Sequence, residues 1–271
     1  MAKIKSDDLI NLFNHAVDIS KKAGDYILRN ASANLDIDFK GRADMVTQID
    51  KESENIIQNE IMNKYPNHQI LGEEFTDKVT KSDIKWIVDP LDGTTNFVHG
   101  HNMVAVSIGI VHQEKLIIGV VYNPFIDELF TAIKDHGAYL NGRKIEVSRV
   151  DKIKDGLFAT GFPYELNNYF YKNMELFKKI YENSQGVRRA GSAALDICYT
   201  ACGRFDGFWE YDLNPWDMAA GSLILSEAGG QLSNFSGGEF SIYGDKILAA
   251  NSKLKEPMLN IIQNVISNYE K

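Results

Sequence analysis

Between Trp86 and Phe97 the chain reads WIVDPLDGTTNF, an apolar run that stops in two aspartates, a proline, a glycine and two threonines. Trp86, Ile87 and Val88 do not alternate with polar residues, so they read as a short strand buried on both faces. Such a strand needs cover on each side. Pro90 has no amide proton, and the hydrogen-bond ladder is expected to stop immediately after Asp89. Asp89 and Asp92 then share one tight turn. With the Leu91 carbonyl and the Thr94 hydroxyl they form an all-oxygen set suited to a hard cation such as Mg²⁺, and the lack of sulfur or imidazole argues against zinc. Gly93 gives the turn conformational freedom, and Thr94 to Asn96 open a helix or turn whose N–H groups can face an anion.

D-x-x-D-G is also an ordinary surface-turn pattern, so the run needs support from elsewhere. Two other acidic patches supply it. Glu73 and Glu74 follow Gln69-Ile70-Leu71, at the end of a predicted short strand, where open α/β sheets gather ligands. Asp217 follows Pro215-Trp216 ahead of the helical stretch Met218–Ala228 and fits either a helix cap or a ligand.

On these blocks the chain resembles the inositol monophosphatase family, within the lithium-sensitive, magnesium-dependent phosphatases. Trp86 to Phe97 matches the first family signature, and Trp216-Asp217-Met218-Ala219-Ala220-Gly221 the second. Gly72-Glu73-Glu74 and Asp44-Met45-Val46-Thr47-Gln48-Ile49-Asp50 match further blocks in the same order and spacing. The resemblance implies an α/β fold, α+β in its N-terminal half, stacked as a layered α-β-α-β-α sandwich. It implies two to three Mg²⁺ ions, with Asp89 bridging two of them. Glu73, the Leu91 carbonyl and Thr94 would complete the first site, and Asp92 and Asp217 the second. The implied reaction is phosphomonoester hydrolysis by metal-activated water, oriented by Glu73 and a Thr94–Asp44 pair, without a phosphoenzyme. Asp44 also fits a plain cap before a helix. Gly93 and Thr94 amides would hold the phosphate, and Glu74 and Lys40 are further candidates near it.

The alcohol side maps to the second half. Val187 to Asp196 resembles the family segment lining the sugar pocket, which makes Gly191, Ser192 and Ala193 candidates, with Arg189 beside them. Small residues at Gly191 and Ala193 equally suit tight helix–strand packing. Glu210, after the apolar Phe208-Trp209 pair, resembles the carboxylate that accepts ring hydroxyls, and Asp92 can share one. Ala159 to Tyr164 resembles the bacterial and archaeal branch. The implied substrate is therefore inositol 1-phosphate, with fructose-1,6-bisphosphate or NADP(H) as alternatives and a moonlighting role with the transcription machinery as the non-enzymatic one. Lithium inhibition and a homodimer follow from the same resemblance.

Composition agrees with this class. The 271 residues are 44% hydrophobic, enough for a substantial core and two subdomains, expected at 1–150 and 151–271, that share a cleft. A net charge of −8 without a basic run argues against a nucleic-acid surface. The N-terminus MAKIKSDD has no apolar export or membrane segment, and the lone pair Cys198 and Cys202 reads as free thiols, so a cytoplasmic protein is expected. His99 and His101 are spaced for neither zinc nor a catalytic dyad. Helices are predicted near 7–30 and 50–65 over a mainly antiparallel sheet with a hairpin at Asn141-Gly142. After about Val150 strands and helices alternate.

Overall fold

The computed structural model describes residues 4–31, 37–39, 45–74 and 80–269. Helix α1 (Ser6–Arg29) carries Leu12, Ala16, Ile19, Ala23 and Ile27 on one buried stripe, a three-and-four spacing that only a helix turns into a face. Strands β1 (Ile37–Phe39) and β2 (Met45–Thr47) form an antiparallel ribbon that runs directly into α2 (Gln48–Lys64). Thr47 ends the ribbon and caps the helix: its hydroxyl oxygen accepts from the Ile49 amide, and its own amide donates to Asp50 Oδ2 at 2.8 Å.

A seven-stranded sheet follows, its strands neighbouring one another in chain order. It comprises β3 (Gln69–Gly72), β4 (Ile84–Asp92), β5 (Ala105–His112), β6 (Lys115–Asn123), β7 (Glu128–Ile133), β8 (Ala138–Leu140) and β9 (Arg143–Lys144), with the short helix α3 (Thr94–Val98) between β4 and β5. Only β3 and β4 are parallel. β4 differs from expectation, because it continues through Pro90 to Asp92. The ladder to β5 shifts register between Asp89 and Asp92, so proline sits in a bulge where no ladder amide is required. At the far edge Asn141 and Gly142 both take positive φ (48° and 74°), the backbone of a tight hairpin turn.

The second sheet has the order β11-β10-β12-β14-β13, built from β10 (Leu157–Thr160), β11 (Gly186–Arg188), β12 (Gly207–Tyr211), β13 (Gln231–Ser233) and β14 (Lys246–Ala250). Helices α4 (Asn168–Glu182), α5 (Ala193–Ala201), α6 (Pro215–Glu227) and α7 (Lys255–Tyr269) complete the chain. Alternation along the strands divides the side chains between two cores. Phe208, Ile247 and Ala249 join the core with α5 and α6, while Trp209, Leu248 and Ala250 join the one with α4 and α7.

The layers are therefore α1/α2, first sheet, α5/α6, second sheet, α4/α7, an α-β-α-β-α sandwich. α6 is buried on every side from Met218 to Leu225 because it lies between sheets. Gly109 and Gly119 face each other across β5 and β6, and a Cβ on Gly119 would stand 2.5 Å from the Ala220 carbonyl oxygen. Their bare backbones let α6 settle directly on the first sheet. That contact brings the start of α6, and Asp217 with it, over the end of β4.

Candidate active site

The end of β4, the turns after β3 and β11, and the starts of α5 and α6 surround one cavity of roughly 410 Å³. Glu73, Asp89, Asp92, Arg189, Glu210 and Asp217 all line it, as do the Leu91, Gly93, Thr94, Gly191, Ser192 and Ala193 positions. Residues more than a hundred positions apart in sequence thus meet in one cleft.

Each carboxylate is held by its own local device. Asp89 is only 2% exposed, and its Oδ1 accepts from the Leu91 amide at 2.9 Å across the bulge. Asp92 Oδ2 accepts from the Ser192 hydroxyl at 2.5 Å and the Ala194 amide at 2.8 Å, which ties the β4 turn to the first turn of α5. Asp217 Oδ2 accepts from the Asn214 amide at 2.7 Å. The N-cap of α6 is thus Asn214 and not Asp217, which stands at the third helical position, closes the capping box from there and lines the cavity as well. Glu73 and Glu74 form the turn after β3, where the Glu74 amide donates to Glu54 Oε1 at 3.2 Å. A side chain on Gly72 would overlap that Glu54 carboxylate.

Gly93 links strand to helix at φ +94°, and a Cβ there would stand 2.6 Å from the Met103 carbonyl oxygen. Asn96 fastens the turn from beyond it. Its Nδ2 donates to the carbonyl oxygens of Met103 at 2.7 Å and Ala190 at 2.9 Å. Thr94 Oγ1 donates to Asp50 Oδ1 at 2.7 Å and lies 3.3 Å from the Leu91 carbonyl oxygen. The partner of Thr94 is thus Asp50, a residue the sequence reading placed only inside a matched block. Asp44, expected in that role, lies outside the described residues, as does Lys40.

On the opposite wall, Glu210 rises from β12 against Gly161, where any side chain would overlap its carboxylate. Ser192 has its hydroxyl proton committed to Asp92 and accepts from the Leu195 amide, so it serves the loop tether and the start of α5. His99 and His101 are exposed. Asp196 of α5 also lines the cavity, and nothing in its apolar surroundings, Ala194-Leu195 before and Ile197-Cys198 after, signals this in the sequence. A larger cavity of about 760 Å³ lies elsewhere, beside Tyr169, Tyr211, Phe235 and Lys246. Glu239 and Asp245 line that one, and Glu73, Asp89, Asp92, Glu210 and Asp217 line the smaller.

The electrostatics bind the acidic groups into one system. Burial pushes Asp89 well above the usual carboxylate range, and the charges of Glu73, Asp92 and Asp217 push it further. Burial likewise raises Asp217 well above that range; the Asn214 amide opposes the rise, and Asp92, Glu73 and Glu210 add to it. Asp92 is raised to about 6 by burial, against the stabilising hydrogen bonds of Ser192 and Ala194. Burial lifts Glu210 to about 8, with Arg189 opposing. Among the described residues no three Asp, Glu, His or Cys side chains close around one point. The acidic groups ring the cavity instead. Their donor set is all oxygen, joined by the Leu91 carbonyl and the Thr94 hydroxyl, and it fits hard divalent cations, whose charge makes joint ionisation tolerable.

Five stacked layers with an acidic cleft at the ends of the strands define a layered α/β phosphatase of the sugar-phosphatase type. The chain belongs to the inositol monophosphatase family, whose model matches residues 8–267. Inositol monophosphatase 2 of Solanum lycopersicum is 41% identical over 259 residues, covering 91% of this chain and 96% of that protein. Nus factor SuhB of Escherichia coli K12 is 38% identical over 260 residues, covering 95% and 97%. The crystal structure of the extragenic suppressor protein suhB from Bartonella henselae superposes with a TM-score of 0.90 at 39% identity, covering 93% of this chain and 98% of that one. Membership supports phosphatase activity, and the family is generally metal-dependent. No described helix is long and apolar enough to cross a membrane.

Proposed function

We propose that this chain is a Mg²⁺-dependent phosphomonoester hydrolase that releases myo-inositol and phosphate from inositol 1-phosphate. The observation that carries the reading is the gathering of Glu73, Asp89, Asp92 and Asp217 around one cavity that Thr94 and Leu91 also line. Two to three Mg²⁺ ions would be held by these carboxylates with the Leu91 carbonyl and Thr94. When bound, such ions supply positive charge to the phosphoryl oxygens and lower the pKa of a nearby water.

The remaining work falls to the chain itself. Because Thr94 Oγ1 gives its proton to Asp50 Oδ1, its lone pairs are left to accept from the attacking water, which Glu73 orients from the other side. The Gly93 and Thr94 amides hold the phosphate in line with that water. Glu210 and Asp92 receive ring hydroxyls above the floor made by Gly191, Ser192 and Ala193, while Arg189 offsets the negative charge of that wall. The second half, 151–271, thereby reads the alcohol, and the first, 1–150, the phosphate. The same reading includes a cytoplasmic homodimer, which light scattering tests, and inhibition by lithium.

Phosphate release from a panel of inositol 1-phosphate, fructose-1,6-bisphosphate and NADP(H), with and without Mg²⁺, is the deciding experiment. Release from inositol 1-phosphate that needs Mg²⁺ and disappears in Asp89→Asn is expected. A much higher kcat/KM for one of the other esters would reassign the substrate and keep the class. The Nus-factor name of the Escherichia coli relative favours a second, non-enzymatic reading, tested by pull-down of transcription components with Asp89→Asn.

A further inference from the structure

Four rings pack together against the strand that carries Asp89: His15 from α1, Tyr65 at the end of α2, His68 just before β3, and Trp86 of β4. Tyr65 stacks on His68, with centroids 4.7 Å apart and planes inclined by 3°. Trp86 is fully buried, and its Nε1–H donates to His68 Nδ1 at 3.1 Å. An indole nitrogen can only donate, so His68 Nδ1 carries no proton while this bond exists.

The bond ties the start of β3 to β4, the parallel pair of the first sheet. Among the described residues β3 is an edge strand paired with β4 alone, Ile70 opposite Trp86 and Gly72 opposite Val88. The residues that follow this ladder on the two strands are Glu73 and Asp89, and both line the acidic cavity. A one-residue slip would turn every side chain of β3 to its other face, and four paired positions do little to forbid it. A side-chain tie at the start of β3 therefore fixes where Glu73 stands relative to Asp89.

The two histidines of the cluster respond differently to acid. His15 Nε2 lies 3.1 Å from the Glu60 carbonyl oxygen, an acceptor, so that nitrogen already carries a proton and a second one at Nδ1 leaves the bond intact. At His68 the second proton has to sit on Nδ1, where the indole N–H already points. The bond then breaks, and the buried Trp86 donor is stranded. The charges that act on these rings are Asp8 and Asp18 from α1 and Glu60 and Lys64 from α2, with Lys64 Nζ 5.6 Å from the Tyr65 centroid. Glu60 is also paired with Lys22 at 2.9 Å, and Lys85 of β4 turns away to the Tyr243 hydroxyl. Burial holds His68 below the usual imidazole value of 6.5, in line with the bond it would lose.

We propose that His68 is a positioning residue that acts as an acid-sensitive latch: its unprotonated Nδ1 holds Trp86, fixes β3 on β4 and so sets Glu73 beside Asp89, while protonation opens the latch and weakens Mg²⁺ binding. The consequence for Mg²⁺ rests on the cation reading of the cavity given above.

The test pairs a spectroscopic titration with Mg²⁺ binding by calorimetry, both on the full-length chain. Labelling with ¹⁵N-tryptophan gives three indole N–H signals, from Trp86, Trp209 and Trp216, and Trp86→Phe identifies the first. His68→Asn places a carbonyl oxygen near the Nδ1 position and does not titrate, while His68→Phe keeps a ring on Tyr65 and removes the acceptor. Without Mg²⁺, the Trp86 signal of the wild type should move with a single midpoint below pH 6.5, and that of His68→Asn should stay in place. Between pH 8 and pH 5.5 the wild type should lose about fivefold more Mg²⁺ affinity than His68→Asn, the effect of one hydrogen bond. Acid also protonates the cavity carboxylates, but that loss is common to both proteins and cancels. His68→Phe should bind Mg²⁺ about fivefold more weakly than the wild type already at pH 8. A Trp86 signal that moves equally in wild type and His68→Asn would assign the titration to another group and overturn the latch. Mg²⁺ affinities that fall in parallel would overturn it too, leaving the cation reading intact. A wild type that binds no Mg²⁺ at pH 8 rejects the cation reading and the latch with it. If His68→Asn does not fold, His68→Gln carries the same comparison.

Discussion

Thr94 Oγ1 donates to Asp50 Oδ1 at 2.7 Å, while the other oxygen of the same carboxylate, Oδ2, accepts from the Thr47 amide at 2.8 Å. One carboxylate thus caps α2 and orients the threonine at the start of α3. The two functions separate by substitution. Asp50→Ala should lower kcat by about 10²-fold or more, the usual range for a proton-handling group, and cost about 0.5–2 kcal/mol from the lost cap. Thr94→Val should lose a similar factor in kcat without that destabilisation. Steady-state kinetics and urea melts read both, and a Thr94→Val protein with wild-type kcat would remove the pair from the chemistry.

Asp89 supports a crossing of stabilities. Its carboxylate is buried beside the charges of Glu73, Asp92 and Asp217, so neutralising it relieves repulsion when no cation is present. In EDTA, Asp89→Asn should melt at or above the wild-type temperature. With Mg²⁺ the order should reverse, because a ligand that binds only the folded state at a hundred times its Kd stabilises by about 2.7 kcal/mol, and the variant forfeits most of that. Calorimetric scans at several Mg²⁺ concentrations check it. Parallel Mg²⁺ responses in the two proteins would take Asp89 out of the cation site.

Gly161 offers a steric route to the substrate wall. A methyl group there would overlap the Glu210 carboxylate, which must shift to admit it. Gly161→Ala should cost about 1–3 kcal/mol, the usual penalty of overpacking, and raise KM for inositol 1-phosphate more than it lowers kcat. Denaturant midpoints and KM are the readouts. An unchanged KM would mean that Glu210 does not meet the substrate.

Local rules made the scaffold readable. The unalternating Trp86-Ile87-Val88 run announced a strand covered on both faces, and α6 with α1 and α2 provides that cover. Pro90 did not end the strand, because a bulge shared with β5 absorbs it, and a partner strand that begins only at Ala105 is invisible to a local rule. The cleft was legible wherever acidic residues stood next to a turn or cap signal, as at Glu73, Asp89, Asp92 and Asp217. Asp50 was hidden by its good local role at the third position of a helix, since its bond to Thr94 spans 44 residues. Asp196 was hidden differently, as one carboxyl within an apolar helix. Which side of α5 faces the cavity is decided by packing against α6 and β12, and the sequence does not display it.

The raised pKa of Glu210 sets a pH dependence with a definite sign. Burial lifts the folded-state value to about 8, against a usual 4.5 that applies once the chain unfolds. Between those values the folded chain holds a proton that the unfolded chain has released. Stability from this group is therefore full below about pH 4.5 and is lost as pH rises through about 8. Asp92, raised to about 6, and Asp89 and Asp217, both held well above the usual carboxylate range by burial, act in the same direction. Glu210→Gln should consequently flatten the fall without abolishing it. Urea melts at pH 5 and pH 8 in EDTA, where no cation competes for the carboxylates, measure the difference. The wild type should lose more stability than Glu210→Gln between the two conditions. Equal losses would mean that Glu210 is already ionised in the folded protein at pH 5, and that its cavity wall is far more hydrated than its burial against Gly161 implies.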